Sequence, residues 1–182
     1  MLHTHDRAVA DTEAFVKDLK EANGGWFEGG RQFHIIDSYK GTLTEREFQK
    51  VLDRGGVLGG TSAGATALGD YLVRGAIGGP EIVMAPEPEH QQAMNFLKGT
   101  AIDQHIDTRN RWDDLIPLIQ KFPRLLGIGL SEGTAIVVTG DRLEVWGKWK
   151  AHMLRRPSRQ ARLAMPSPSI LPMNPGTHRN CK

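Results

Sequence analysis

The sequence predicts an α/β protein built around a mainly parallel β-sheet that helices cover on both faces. Two observations support this fold class. Short apolar segments typical of strands alternate along the chain with segments of helical periodicity, and this alternation is the signature of a parallel sheet. The chain has 182 residues, 39% of them hydrophobic, which suits one ordinary domain with a packed core.

Local signals define the individual elements in order. Residues 11–22 repeat apolar side chains on one face, as an amphipathic helix requires. Thr44 and Glu47 form a capping box that opens a helix over residues 45–54, and two glycines end it. The other predicted elements are a strand ending at Trp26–Phe27, a short buried strand at Val57–Leu58, helices over 65–73 and 109–121, and strands at 128–130, 135–139 and 143–146.

The strongest single signal is the segment Gly60-Thr61-Ser62-Ala63-Gly64, which has the pattern G-x-S-x-G. It lies directly between a predicted strand and a predicted helix, which is the context of a nucleophile elbow. The glycines allow a sharp turn that exposes Ser62 Oγ above the sheet, and the helix start offers unpaired N–H groups to a developing negative charge. A glycine-rich turn with a serine cap is the alternative. A phosphate-binding loop is rejected, because Ala65 stands where that loop needs lysine.

A nucleophilic serine needs a base and an acid that orients the base. Of the seven histidines, His105 is the best candidate base, because it follows a strand-like segment where loops carry catalytic groups in α/β proteins. Glu132 lies between two apolar strands, where an unpaired carboxylate would be costly, and is the best candidate acid. The order serine, histidine, acid differs from that of α/β-hydrolases, which argues against an esterase or lipase of that fold.

Four longer motifs occur in order along the chain: FEGGRQ, GGTSAGA, AIDQHIDTRNR and LLGIGLSEGTAIVV. Together they closely resemble the S51 family of serine peptidases, which includes the cyanophycinases, and the match runs from about Ala22 to Trp146. The resemblance implies a three-layer α/β/α sandwich of the flavodoxin-like, class I glutamine-amidotransferase-like type. Against that architecture the chain looks truncated at the N-terminus and short at the C-terminus, so an incomplete sheet is expected.

The resemblance also implies a role for eleven residues. They are a catalytic triad of Ser62, His105 and Glu132, an oxyanion hole of backbone N–H groups at Gly29, Gly30 and Ala63, and substrate contacts at Gln32, Asp103, Gln104, Arg109 and Arg111. The implied reaction is hydrolysis of β-aspartyl–arginine or related aspartyl peptide bonds through an acyl-enzyme. It calls for no cofactor and no metal.

Alternatives stay open for the charged residues of this set. Arg109 and Arg111 either clamp a substrate carboxylate or form an exposed helix face that pairs with neighbouring aspartates. Asp103 either receives a substrate guanidinium or caps the following turn. Two departures from the family pattern affect the rim of the pocket: Arg31 stands where relatives generally have Asp, and two acidic residues follow Trp112 where cyanophycinases tend to have basic ones.

Two other functions stay open at this point: a truncated or degenerate family member without activity, and an esterase-type serine hydrolase. The expected partner is a peptide substrate, with a homodimer as a candidate assembly. Nucleic acid and membrane are not expected as partners. The N-terminal segment does not have the pattern of a signal peptide, and a cytoplasmic location is expected, with a lost N-terminal signal left open.

Charge divides the chain unevenly. Residues 148–182 contain 8 Lys/Arg and no acidic residue, whereas residues 1–147 contain 15 Lys/Arg and 21 Asp/Glu. We therefore expect a partial S51-like domain over 1–150 and a basic, proline-rich, disordered tail over 151–182. Cys181 is the only cysteine, which excludes a disulfide scaffold and a CxxC zinc site.

Overall fold

The computed structural model describes residues 1–155. Its helices are α1 (Arg7–Ala10), α2 (Glu13–Val16), α3 (Gln32–Tyr39), α4 (Leu43–Asp53), α5 (Ala63–Ala67) and α6 (Leu115–Lys121). Its strands are β1 (Gly24–Phe27), β2 (Val57–Gly60), β3 (Thr100–Gln104), β4 (Leu126–Leu130), β5 (Thr134–Thr139), β6 (Arg142–Gly147) and β7 (Ala151–Leu154). Single turns of 3-10 helix occur at Lys17–Lys20 and Pro88–Gln91.

The strands pair mainly as a parallel sheet requires. β1 pairs with β2 and β3 pairs with β4, both in parallel, while β7 joins the other edge of β4 in the antiparallel direction. β5 and β6 form an antiparallel hairpin. Parallel pairing places the ends of β3 and β4 side by side, with Gln104 opposite Leu130. The predicted α/β class is confirmed, and the loops after these strands open at one edge of the sheet.

Helix α5 packs against β1, β2 and β3 and so connects the two parallel pairs. All of its side chains are small, and all of its residues are buried. A Cβ atom at Gly64 would lie 2.0 Å from the Phe27 carbonyl oxygen, so only glycine allows this approach. Because of this close approach, α5 can begin only three residues after the last residue of β2.

The predicted helix over residues 11–22 is divided in the structure. α2 is one turn long and is followed by the first 3-10 turn. The Thr12 side chain caps α2 by accepting the N–H of Phe15. Val16 and Leu19 are buried, so the periodicity identified the buried face correctly although the helix is not continuous.

The predicted capping box at Thr44 and Glu47 is wrong, although the helix that it was meant to open does form. α4 begins two residues earlier than predicted, with Thr42 at the N-cap position. Thr44 Oγ instead donates to the Ala10 carbonyl at 2.6 Å, and Glu47 pairs with Lys50. A tertiary contact with the end of α1 replaces the local motif.

The predicted helix over 65–73 is too long, because α5 ends at Ala67. Tyr71 is extended and forms isolated β-bridges with Gln92 and Ala101. The chain therefore leaves the helix in order to pair beside β3.

The predicted helix over 109–121 is also too long, since α6 begins at Leu115. The N–H of Arg111 donates to the Ile106 carbonyl at 2.8 Å, which closes a loop before the helix. The Arg111 side chain is buried within that loop. Pro117 lies in the first turn of α6, where a helix needs no N–H donor.

The predicted boundary at residue 150 is wrong, because β7 lies beyond it and pairs with β4 through Ile128 opposite Met153. The remainder of the predicted tail, from residue 156 onward, lies outside the described residues, as does Cys181. Within residues 1–155, no helix is long and apolar enough to cross a membrane.

Tyr71 offers a test of the core. Its hydroxyl is buried and has no hydrogen-bond partner among residues 1–155, and burial raises the pKa of Tyr71 to about 12. Because an unsatisfied buried donor costs free energy, Tyr71→Phe is expected to keep the free energy of unfolding or raise it by up to about 1 kcal/mol. Urea denaturation monitored by circular dichroism measures the change.

Tyr39→Phe is the matched control. The Tyr39 hydroxyl accepts the N–H of Thr4 at 3.2 Å, so this variant is expected to lose about 0.5–1 kcal/mol. A larger loss in the Tyr71 variant than in the control would contradict the prediction.

Candidate active site

Ser62 lies at a sharp turn between β2 and α5, with φ 53° and ψ −119°. This conformation is uncommon for a residue with a side chain and indicates strain at the turn. A Cβ atom at Gly60 would lie 2.5 Å from the carbonyl carbon of Gly64, so neither glycine of the motif tolerates a side chain. Local sterics thus expose the Ser62 hydroxyl at the sheet edge.

His105 and Glu132 converge on this serine. Ser62 Oγ lies 2.8 Å from His105 Nε2, and His105 Nδ1 forms a hydrogen bond with Glu132 Oε1. The histidine follows β3 directly and the glutamate follows β4 by two residues, so the parallel register of these strands brings them together. His105 also has a positive φ of 59°, a second strained residue at the same site.

Asp107 holds the glutamate in place, and the sequence analysis assigned it no such role. Asp107 Oδ1 accepts the backbone N–H of Glu132 at 3.0 Å, so it connects the loop after β3 to the loop after β4. That hydrogen bond lowers the pKa of Asp107 below its ordinary value of 3.8. Its position two residues after His105 was the available signal, but its partner is 25 residues away.

Two of the three predicted oxyanion donors lie next to Ser62: Gly29 faces it in space and Ala63 follows it along the chain. Gly29 lies close enough that a Cβ atom there would be 3.3 Å from Ser62 Cβ. Gly30 has a φ of +132°, which favours glycine in this turn, and Ala63 is the first residue of α5. Within residues 1–155 the N–H groups of Gly29, Gly30 and Ala63 have no protein acceptor, and so they are available to a developing oxyanion.

The five predicted substrate contacts are not equally accessible. Gln32, Asp103, Gln104 and Arg111 are buried, whereas Arg109 is exposed. Asp103 does contact a guanidinium, but this group belongs to Arg74 of the same chain, which donates two hydrogen bonds of 2.9 Å to its carboxylate. Asp103 also accepts the N–H of Gln104 at 3.0 Å. Both of its oxygens are therefore occupied.

Arg111 is the least satisfied cation near the site. Its Nη1 donates to the backbone and side-chain oxygens of Gln104 at 3.4 Å, while Nη2 is buried without a hydrogen-bond partner among the described residues. Burial, together with the positive charge of Arg74, holds the pKa of Arg111 below its ordinary value. The alternative of an exposed helix face is wrong for Arg111, because this residue precedes α6 and is buried.

Arg31, which departs from the family pattern, forms its contacts with other residues of the same chain. Its Nη2 donates to the Ala76 carbonyl at 2.7 Å, and its guanidinium lies 5.2 Å from the centre of the Phe33 ring. It thereby connects the glycine turn to the loop that follows Arg74.

A cavity of about 900 Å³ borders the triad. Ser62, His105 and Glu132 line one part of it, and most of the remaining wall is apolar. The apolar residues include Trp26, Leu58, Phe96, Ile136 and Trp146. Val57 also lines this space and is 70% exposed, and no other residue of β2 is fully buried, so the prediction that this strand is buried is wrong. Across residues 1–155 no cluster of three metal-ligating side chains is present.

Comparison with known proteins places the chain in a family. The family model described as Peptidase family S51 matches residues 2–146. The cyanophycinase of Geminocystis herdmanii (strain PCC 6308) is 29% identical over 150 residues, which cover 81% of this chain and 55% of that protein. The cyanophycinase of Synechococcus elongatus is 31% identical over 145 residues, which cover 79% of this chain and 45% of that protein.

The fold is shared with a solved peptidase. The crystal structure of a peptidase from an acI-B1 Actinobacterium superposes with a TM-score of 0.65 at 25% identity, covering 82% of this chain and 60% of that one. The predicted flavodoxin-like α/β class is confirmed by this likeness. The chain spans about half the length of the curated relatives that it matches.

The Asp107–Glu132 contact generates a prediction about the reactivity of Ser62. Asp107→Ala removes the acceptor that fixes the Glu132 backbone, so His105 loses its orientation, and the rate at which a fluorophosphonate probe labels Ser62 is expected to fall roughly 10- to 100-fold. Asp107→Asn keeps an acceptor oxygen and is expected to be labelled at nearly the wild-type rate. Equal losses in the two variants would show that this hydrogen bond does not orient the glutamate.

The same contact has a defined pH range. A carboxylate whose pKa is lowered by folding contributes stability above its ordinary pKa, here 3.8, and loses it as the pH falls through the lower folded value. Asp107 is therefore expected to stay ionised between pH 5 and pH 8, and its hydrogen bond to the Glu132 N–H should be equally strong across that range. The labelling rate of Ser62 in Asp107→Ala, divided by that in the wild type and measured across the same range, should show no change that comes from protonation of Asp107.

Proposed function

The chain belongs to peptidase family S51, and from this premise we propose that it hydrolyses β-aspartyl–arginine or related aspartyl peptide bonds as a serine peptidase. The single observation that supports the proposal most strongly is the continuous contact from Ser62 through His105 to Glu132. A strained serine at a helix N-terminus, a histidine within hydrogen-bond reach and an acid behind that histidine have the geometry of a nucleophile, a base and an orienting group.

In the proposed first half-reaction, Ser62 Oγ attacks the carbonyl carbon of the scissile bond while His105 Nε2 accepts its proton. Glu132 stabilises the resulting imidazolium and holds the ring in position. The negative charge on the tetrahedral intermediate falls beside the N–H groups of Gly29, Gly30 and Ala63. His105 then donates its proton to the leaving amine, and an acyl-enzyme on Ser62 remains.

In the second half-reaction, water takes the place of the leaving amine. His105 removes a proton from the water as it attacks the ester carbonyl, and returns that proton to Ser62 Oγ when the acid product leaves. The same three side chains act in both halves, so no further group is needed to close the cycle.

The proposed substrate class follows from charge. Arg111 has an unpartnered buried N–H edge, which suits a carboxylate such as that of an aspartyl residue. Arg109, which is exposed, and Gln32, which is buried at the start of α3, are proposed as further polar contacts of the substrate. The proteins that this chain resembles include cyanophycinases, which supports an aspartyl peptide as the substrate.

One observation favours a second candidate function. The cavity beside the triad has mainly apolar walls, which would suit the acyl chain of an ester better than a charged peptide. Parallel assays with an aspartyl dipeptide and with a p-nitrophenyl ester of a medium-chain fatty acid separate the two activities. Turnover of the ester alone would favour an esterase-type hydrolase.

The proposal predicts the effect of removing the nucleophile. Ser62→Ala is expected to reduce kcat on β-Asp-Arg by roughly 10⁴-fold or more, because the step that forms the acyl-enzyme is lost. Ninhydrin detection of released arginine measures turnover, and thermal melting should show that the variant folds. A fluorophosphonate probe should label wild-type protein at Ser62 and leave the variant unlabelled.

Ser38→Ala is the matched control, since this serine lies in α3 and its Oγ donates to the His34 carbonyl away from the triad. This variant should hydrolyse β-Asp-Arg and react with the fluorophosphonate probe as the wild type does. Failure of the wild-type chain to react with the probe would favour the alternative of a family member without activity.

A further inference from the structure

Arg74 forms a buried ion pair with Asp103, one of the five predicted substrate contacts, and the steps of the proposed reaction do not use this pair. Arg74 is 1% exposed and has a positive φ of 61°. Its Nε and Nη2 donate to the two oxygens of Asp103, each at 2.9 Å. Its remaining donors reach the Pro80 carbonyl at 2.8 Å and Asp114 Oδ2 at 2.5 Å. Each nitrogen of this guanidinium therefore donates at least one hydrogen bond.

Asp103 stands between two arginines but is bound by only one of them. Its Oδ1 lies 2.9 Å from Arg74 Nε and 3.9 Å from Arg111 Nη1. The carboxylate is 0% exposed, so water cannot compensate its charge. The bidentate pair with Arg74 supplies that compensation, because two parallel charge-assisted hydrogen bonds outweigh one long contact.

Arg111 keeps a free edge as a result. It is 4% exposed, its contacts with Gln104 are long, and its Nη2 has no hydrogen-bond partner among the described residues. The nearest acid to Nη2 is Glu81 at 3.9 Å, whose side chain is 83% exposed and well screened by solvent. A buried donor without a partner costs free energy, and a ligand carboxylate would recover that cost.

We propose that Arg74 is a positioning residue that determines specificity: by holding Asp103, it leaves Arg111 free to bind the carboxylate of the substrate. The proposal rests on the proposed function, in which that carboxylate belongs to an aspartyl residue. If Arg74 were removed, Asp103 would become a buried unpaired charge, and the nearest remaining guanidinium would be that of Arg111. Closing the 3.9 Å gap would consume the donor that the substrate needs.

The pairing also explains which ligands are rejected. A pocket with a free buried aspartate would accept a guanidinium or an ammonium group. Here that acid is already neutralised from within the chain, so the uncompensated charge that remains is positive. A ligand group that binds the free edge of Arg111 is therefore expected to be anionic rather than cationic.

The test measures binding of L-aspartate by isothermal titration calorimetry, without turnover. Arg74→Met is expected to weaken binding roughly tenfold or more, because Asp103 then draws Arg111 away from the ligand. The double variant Arg74→Met with Asp103→Asn removes both charges, and its dissociation constant should return to within roughly threefold of the wild-type value. A merely structural role for Arg74 would not produce this rescue.

Two variants serve as controls. Arg74→Lys keeps a positive charge on Asp103 and is expected to bind L-aspartate within roughly threefold of wild type. Arg124→Met removes an exposed arginine that pairs with Asp70 at 2.7 Å. Among the described residues neither member of this pair forms a hydrogen bond or ion pair with Arg111, so the variant should bind L-aspartate as the wild type does. Circular dichroism melting establishes that each variant is folded.

Three outcomes would overturn the role of Arg74. Wild-type binding by Arg74→Met would do so, as would a double variant that binds as weakly as the single one. Where Arg74→Met does not fold, weak binding by both Arg74→Lys and the double variant would have the same force. L-arginine, titrated in parallel, should bind the wild type at least roughly tenfold more weakly than L-aspartate, because it carries one carboxylate where L-aspartate carries two.

The same titration separates this inference from the proposed reaction. A wild-type protein that binds L-aspartate but does not cleave aspartyl dipeptides would contradict the hydrolysis and leave the role of Arg74 standing. A wild-type protein that does not bind L-aspartate would overturn the role of Arg74, whatever else it hydrolyses.

Discussion

The close packing of α5 against the sheet is the constraint on which the candidate site depends. Within residues 1–155, no ladder of backbone hydrogen bonds joins the β1–β2 pair to the β3–β4–β7 sheet. Ser62 nevertheless follows β2 in the pair, whereas His105 follows β3 in the sheet. α5 contacts β1, β2 and β3 and thereby sets the distance between them. This is possible because its residues are small, and because Gly64 lets the helix approach the Phe27 carbonyl. The 2.8 Å contact between Ser62 and His105 follows from that packing.

The loops after β3 and β4 provide the second support. They carry His105 and Glu132, and the hydrogen bond from the Glu132 N–H to Asp107 keeps them in register beyond the last paired residues. Strain at Ser62 and His105 is concentrated where the reactive groups must be exposed, and the surrounding sheet maintains it. The proposed oxyanion donors are backbone N–H groups and need no side chains, so Gly29 in the turn after β1 can lie directly against the serine.

The buried charged residues near the end of β3 are organised around the ion pair of Arg74 and Asp103. Arg74 compensates Asp103, and this leaves Arg111 as the group with unmet hydrogen-bonding capacity. A buried acid and a buried arginine would otherwise neutralise each other and leave no preference for a charged ligand. None of these three residues lines the apolar cavity beside the triad, so the cavity and the charged cluster differ in chemistry.

Sequence alone determined the features that depend on neighbouring residues. The elbow around Ser62, the glycine turn before α3, the β5–β6 hairpin and the α/β alternation are all encoded in short segments, because turn geometry and periodicity are local properties. His105 and Glu132 followed from their positions after strands and from the resemblance to the S51 family. Only the tertiary structure decided where α5 ends and where α6 begins, that Thr44 bonds to Ala10 instead of forming a capping box, and that Arg74 occupies Asp103. The Thr44 and Arg74 contacts join residues 34 and 29 positions apart, and their burial and charge compensation outweigh local propensity.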